Sequence, residues 1–285
     1  VYYDYIILST EVFRLDNRPI GFFDSGLGGL TCTTHLMKAL PKERIIYFGD
    51  TARTPYGSKA VSTIRNFSFE ISDFLLKNDV KMIVIACNTI SSTCLDDLRM
   101  RHPDIPILGI IGPASNTVAK SCSGNNNIGI IGTKVTINSD AYRKKILSHN
   151  PSVNICEIAC PALVPLIEEG IIENEIMDLA IKYYLDNFIE ANDVDTLVLG
   201  CTHYPLIQDR IEMLYPDVVI VDPSKEMFTS IDDTLEGNEM FADEPAGDHV
   251  FYASDLSENF INMINRIFEN TKLKVAFKNF DLEEI

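Results

Sequence analysis

The sequence predicts an α/β protein built from two pseudo-symmetric, doubly wound lobes with mainly parallel sheets and a functional cleft between them. Three observations carry this expectation. Short continuous apolar runs alternate with helical stripes, the pattern of parallel strands covered on both faces. The run Ile20 to Phe23 with its turn Asp24 and Ser25 has a counterpart in Ile128 to Ile131 with Gly132 and Thr133. A cysteine-headed turn, Ala86, Cys87, Asn88, Thr89, likewise returns as Gly200, Cys201, Thr202, His203. In open α/β sheets ligands bind at the carboxyl ends of strands. Twin turns brought face to face would set one sulfur on each side of a small substrate.

The elements follow in order. Ile20 to Phe23 is a buried-strand run, and Asp24 to Gly29 behind it is a glycine-rich turn leading into a helix, where backbone amides cradle anions. It lacks both the dinucleotide spacing and the lysine of a phosphate loop, so nucleotide binding is a weak reading. Strand Ile45 to Phe48 precedes the turn Thr54, Pro55, Tyr56, Gly57, whose Tyr hydroxyl and Gly amide are candidates to face the cleft. Val61, Ile64, Phe67, Ile71, Phe74 and Leu75 form an amphipathic helical stripe. Strand Met82 to Ala86 delivers Cys87, and Ile107 to Ile110 closes the first set, punctuated by Gly112 and Pro113. After the polar loop Ser121 to Asn127 come strands Ile128 to Ile131 and Asn154 to Ile158, then a helical segment Ala162 to Glu169. A stripe of Ile176, Leu179, Ala180, Tyr183 and Phe188 is read as core. Thr196 to Leu199 delivers Cys201, and Val218 to Val221 follows. Glu236 to His249 reads as a surface loop, Val250 to Tyr252 as a strand and Leu256 to Phe268 as a helix.

The 285 residues suffice for two cores. The expected division is an N-terminal extension over 1–18, a first lobe of 19–113 plus 224–285, and a second lobe of 114–223. At 46% hydrophobic and 23% charged residues the composition is that of an ordinary globular protein. A net charge of −17 argues against nucleic acid as the main partner. No stretch approaches the ~20 apolar residues that span a bilayer, and residues 1–18 do not resemble a secretory signal. The expected location is therefore the reducing cytoplasm, where thiols stay free. The seven cysteines show no C-x-x-C spacing, so zinc or thioredoxin-like chemistry has no support. Cys32, Cys94 and Cys122 fall in helical segments and read as small buried apolar residues. Either Cys87 or Cys201 alone would invite the same reading; their matched strand-end positions point to chemistry. His203, two residues from Cys201, is placed to orient that thiol or carry its proton.

The motifs Gly21 to Thr31, Tyr47 to Gly57, Ala86 to Thr89 and Gly200 to Leu206 resemble those of glutamate racemases, in the aspartate/glutamate racemase superfamily. The resemblance covers about Pro19 to Asp222. It implies cofactor-independent interconversion of L- and D-glutamate, supplying D-glutamate for peptidoglycan, with no pyridoxal and no metal. It implies Cys87 and Cys201 as the two acid/base thiols, Asp24 assisting Cys87, and Glu168 and His203 assisting Cys201. Asp24, Ser25, Tyr56, Gly57, Asn88, Thr89, Thr202 and His203 match the substrate-binding positions. A homodimer and an unidentified small-molecule effector are further expectations of this resemblance. Two rivals remain. An aspartate racemase is disfavoured by His203, where aspartate enzymes resemble one another in carrying glutamate. A non-enzymatic, hinged amino-acid-binding protein would need no paired thiols.

Overall fold

A computed structural model describes residues 15–122, 126–255, 258–268 and 275–279. The first elements are β1 (Ile20–Asp24), α1 (Leu30–Ala39), β2 (Ile45–Gly49), α2 (Val61–Lys77), β3 (Met82–Ile85), α3 (Asn88–Thr93), α4 (Leu95–Arg101) and β4 (Ile107–Gly109). Next come α5 (Ile111–Ser121), β5 (Asn127–Gly132), α6 (Lys134–Asn138), α7 (Ala141–His149), β6 (Asn154–Ala159), α8 (Leu163–Glu168) and α9 (Glu175–Asn192). The chain continues through β7 (Thr196–Gly200), α10 (Gln208–Leu214), β8 (Val219–Val221), α11 (Pro223–Gly237), β9 (His249–Ala253), α12 (Glu258–Phe268) and β10 (Val275–Asn279).

The strands form two all-parallel sheets, ordered β10-β9-β2-β1-β3-β4 and β6-β5-β7-β8. Within each, the order β2-β1-β3-β4 is repeated as β6-β5-β7-β8, so the internal likeness of the sequence is a likeness of topology. Register keeps the strand ends level: Asp24 pairs with Gly49, and Gly132 with both Ala159 and Gly200. Cys87 follows β3 and Cys201 follows β7, each beside the first strand of its own sheet.

Burial explains the apolar runs. Every residue of β1, β2, β3 and β7 is buried, as two-sided helix cover requires. Burying each large side chain contributes about 1.5–3 kcal/mol. One face of the first sheet, with Phe23, Phe48, Ile83 and Ile85, packs on Ile64, Ile71 and Leu75 of α2. The other face, with Phe22, Tyr47 and Val84, shares a core that runs through Ile110, Ala114 and Val118 into Ile128, Ile130 and Leu197 of the second sheet.

The structure corrects the reading of α9. Ile176, Leu179 and Tyr183 are 56%, 68% and 83% exposed, while Met177, Ile181, Leu185 and Phe188 face the core. Both sets have helical spacing, and the helix presents the second one inward. Cys32 lies buried in α1, whereas Cys94 stands at the junction of α3 and α4 and Cys122 just past α5. The helical segment expected from Ala162 begins at Leu163, with Ala162 as its cap. Strand β10 was not read in the sequence; it adds an edge to β9. Residues 1–14 of the expected extension, 123–125 of the polar loop, and 256–257 of the helix expected from Leu256 lie outside the described residues.

The loop after α11 is held from beneath. Buried Lys81 donates to the carbonyls of Asp16 and Met240 at 2.7 and 2.6 Å and pairs with buried Glu43 at 2.6 Å. Glu43 Oε1 in turn accepts the Ala242 amide at 2.8 Å. One buried ion pair thus fastens residue 16 and the 240–242 stretch to the amino ends of the strands. Among the described residues no helix is long and apolar enough to cross a membrane.

Candidate active site

The carboxyl ends of the two sheets face each other across a cavity of about 210 Å³. From the first lobe it is lined by Ser25, Thr54, Tyr56, Gly57, Cys87, Asn88 and Thr89, and from the second by Cys201, Thr202 and His203. The thiols therefore open into one chamber, as the twin turns predict. Thr133 and Lys134 close a polar edge, and Pro161, Val164 and Pro165 form an apolar wall.

The lobes meet tightly around this chamber. Tyr142 of α7 donates its hydroxyl to Asn88 Oδ1 at 2.6 Å, and Thr89 and Thr133 hydroxyls lie 3.0 Å apart. A Cβ at Gly28 would lie 2.4 Å from Thr202 Oγ1, and one at Gly57 would lie 2.4 Å from Thr133 Cβ. These two glycines allow the close approach that brings the thiols to a common space.

Cys87 is almost wholly buried and its thiol donates toward Ser25 Oγ at 3.5 Å. Burial, then the charge of Asp24, pushes the Cys87 thiol up, against smaller opposing hydrogen bonds from Ser25 and the Ile90 amide. Its ground state is the protonated thiol. Asp24 does not line the cavity. It lies beneath, fully buried, with Oδ2 accepting the Gly29 amide at 2.7 Å and the Thr202 hydroxyl at 3.3 Å. Among the described residues its Oδ1 has no hydrogen-bond partner, and neither does Asn88 Nδ2 at the cavity wall. A buried donor left open at a cavity wall is costly unless a ligand completes it.

The opposite thiol has different company. Cys201 Sγ lies 3.8 Å from His203 Nδ1, and His203 Nε2 lies 3.2 Å from Glu168 Oε1. Burial works against charging His203, but its hydrogen bonds to Cys201 and Glu168 outweigh it and hold the ring well above its ordinary value. At neutral pH it is the imidazolium, donating toward both neighbours. Glu168 stands behind His203, outside the lining, where it also accepts from the Thr54 hydroxyl at 3.3 Å across the lobe boundary.

One orientation differs from expectation. Tyr56 lines the cavity, but its hydroxyl donates to buried Asp50, which also receives Arg53 Nε at 2.7 Å and the Ser254 hydroxyl at 2.9 Å. The Tyr56 hydroxyl is thus committed to Asp50 rather than offered to the cavity. Sequence reasoning did not select Thr54, Thr133, Lys134 or the Pro161–Val164–Pro165 wall. Thr133 was within reach, because it is the second-half counterpart of Ser25; the wall residues carry no local signal.

These features define a class: a small chamber between twin α/β lobes, with a thiol from each. Residues 26–230 match the Asp/Glu/Hydantoin racemase family, and the chain belongs to that family of isomerases. Among its relatives, a glutamate racemase of Geobacter metallireducens is 43% identical over 87% of this chain and 92% of its own length. One from Streptococcus gordonii is 40% identical over 94% of this chain and 100% of its own. The crystal structure of a glutamate racemase from Francisella tularensis in complex with D-glutamate has a TM-score of 0.87 at 36% identity, covering 95% of this chain and all of the other.

Proposed function

We propose that this chain interconverts L- and D-glutamate by a two-base mechanism in which Cys87 and Cys201 work from opposite faces of the α-carbon. The observation that supports it is that both thiols line one small chamber, each at the end of an equivalent strand. The relatives that share some 43% of its residues are glutamate racemases, which favours glutamate over aspartate as substrate.

In each direction one thiol serves as base and the other as acid. Cys201, facing the His203 cation, takes the α-proton as thiolate; Cys87, kept protonated by burial and Asp24, gives its proton to the other face. One C–H bond breaks, its pair remains on the α-carbon, and a new C–H bond forms with the Cys87 proton. The thiol and thiolate have then exchanged places, ready for the opposite enantiomer. Negative charge developing on the α-carboxylate is met by the Ser25 hydroxyl and by Asn88 Nδ2. The substrate ammonium supplies the positive charge that Cys87 lacks, and buried Asp24 assists that thiol from beneath the chamber. Glu168 keeps the His203 ring turned toward Cys201.

The chemistry uses side chains alone, and the D-glutamate formed feeds peptidoglycan synthesis in the cytoplasm. Two copies associate, and the exposed Ile176, Leu179 and Tyr183 supply apolar surface for it. Polarimetry of the purified chain with each glutamate enantiomer and no added cofactor tests the reading: rotation should decay to zero from both signs. Glutamate binding without any change of rotation would transfer the site to a binding protein. Complementation of a D-glutamate auxotroph tests the physiological role, and light scattering tests the dimer.

A further inference from the structure

We infer that Tyr142 is a positioning residue for the reaction: its hydroxyl, reaching across from the second lobe, holds the Asn88 side-chain amide with Nδ2 turned toward the substrate carboxylate. The inference rests on the reading above that the chamber holds glutamate and that Asn88 meets its α-carboxylate. Tyr142 does not line the cavity, so it acts through Asn88.

The local sequence brings Tyr142 to this place. Asp140 adopts a left-handed backbone, φ 56°, between α6 and α7, and the Ala141 amide donates to Ser139 Oγ at 3.2 Å. The chain turns there into α7 and puts Tyr142 in its first turn, facing inward with Ile146 four residues on. The buried ring packs on the end of β7, where a Cβ at Gly200 would lie 3.3 Å from Tyr142 Cε2. Gly200 stands immediately before Cys201, and Asn88 immediately after Cys87. One side chain thus spans both thiol stations: it rests on the strand end that delivers one sulfur and bonds the residue that follows the other.

The bond decides which end of the amide faces the chamber. An asparagine amide has an accepting end and a donating end of nearly the same shape, so packing alone does not choose between them. Burial pushes the Tyr142 hydroxyl well above its ordinary value, and it keeps its proton. That proton goes to Asn88 Oδ1 at 2.6 Å. Oδ1 is thereby committed, and Nδ2, buried and without a hydrogen-bond partner among the described residues, is the end left for a ligand. A carboxylate needs that donor; the reversed amide would set an oxygen against it. The neighbouring Thr89 is held independently by the Thr133 and Thr136 hydroxyls at 3.0 and 3.3 Å, so loss of the Tyr142 hydroxyl frees the amide while the lobes stay in contact.

The test is a double-mutant cycle of Tyr142→Phe and Asn88→Ala, with kcat and KM measured from both glutamate enantiomers and folding checked by urea denaturation. The enantiomers have equal free energy, so kcat/KM must fall by the same factor in both directions. Tyr142→Phe should lower it about 3- to 10-fold, the worth of one hydrogen bond. In the Asn88→Ala background the same substitution should change kcat/KM by no more than about 2-fold, because no amide is left to orient. Asn88→Asp, which keeps the acceptor for Tyr142 and replaces the donor by an oxygen, should lose more than Asn88→Ala. A Tyr142→Phe loss repeated in full in the Asn88→Ala background would reduce the tyrosine to packing and overturn the inference, as would wild-type kcat/KM in Tyr142→Phe or an Asn88→Asp variant more active than Asn88→Ala. Failure of the wild type to exchange the α-hydrogen of glutamate would instead overturn the reading beneath it.

Discussion

Replacing Gly57 by alanine tests whether lobe contact sets the chemistry. The new methyl would stand 2.4 Å from Thr133 Cβ, where ordinary contact begins at about 3.4 Å, so about 1 Å must be found. Thr133 cannot give way cheaply, because its hydroxyl caps α6 and bonds Thr89. The lobes must part instead, which moves Cys201 away from Cys87 and the α-carbon between them. Overpacking of this kind costs about 1–3 kcal/mol of stability, but a misplacement of about 1 Å costs on the order of 10²-fold in turnover. Urea denaturation with steady-state racemisation would therefore show a folded protein with kcat down about 100-fold. Thr133→Ser should not rescue it, since the offending Cβ remains; Thr133→Gly should restore stability. A Gly57→Ala variant with wild-type kcat would refute the claim that this seam positions the thiols.

Two further outcomes follow from the buried charges. Lys81→Met leaves Glu43 buried without its partner and should cost about 3–5 kcal/mol in denaturant titration, with Lys81→Met/Glu43→Leu recovering much of the loss. His203 is more basic folded than unfolded, so its contribution to stability is complete below the unfolded value of about 6.5 and fades as pH climbs through the raised folded value. The stability gap between wild type and His203→Asn should accordingly be widest in mild acid and close above neutrality, read by thermal melts across pH; a gap that widens with pH would contradict the imidazolium.

The sequence carried the fold well where burial is two-sided. Runs such as Ile20 to Phe23 and Thr196 to Leu199 leave little alternative to a parallel strand, and the observed ends differ by one residue. Strand β10, Val275–Asn279, was missed because an edge strand of five residues with lysine and asparagine at its end has no such signature. Helix α9 defeated periodicity, since Ile176, Leu179 and Tyr183 and the true inner set Met177, Ile181 and Leu185 are both spaced as helix faces. At the site, the strand-end turns placed both cysteines in one chamber. Side-chain commitments stayed hidden: that Asp50 holds the Tyr56 hydroxyl, or that Glu168 reaches across to Thr54, depends on segments joined only by folding.

The central claim is that two sulfurs serve one α-carbon, and solvent isotope labelling reads it directly. In deuterium oxide, early product from either glutamate enantiomer should carry α-deuterium while recovered substrate stays protio, and Cys87→Ser and Cys201→Ser should each lose turnover by about 10²- to 10⁴-fold with the fold retained. Early substrate and product labelled alike, or full racemisation by either serine variant, would contradict it.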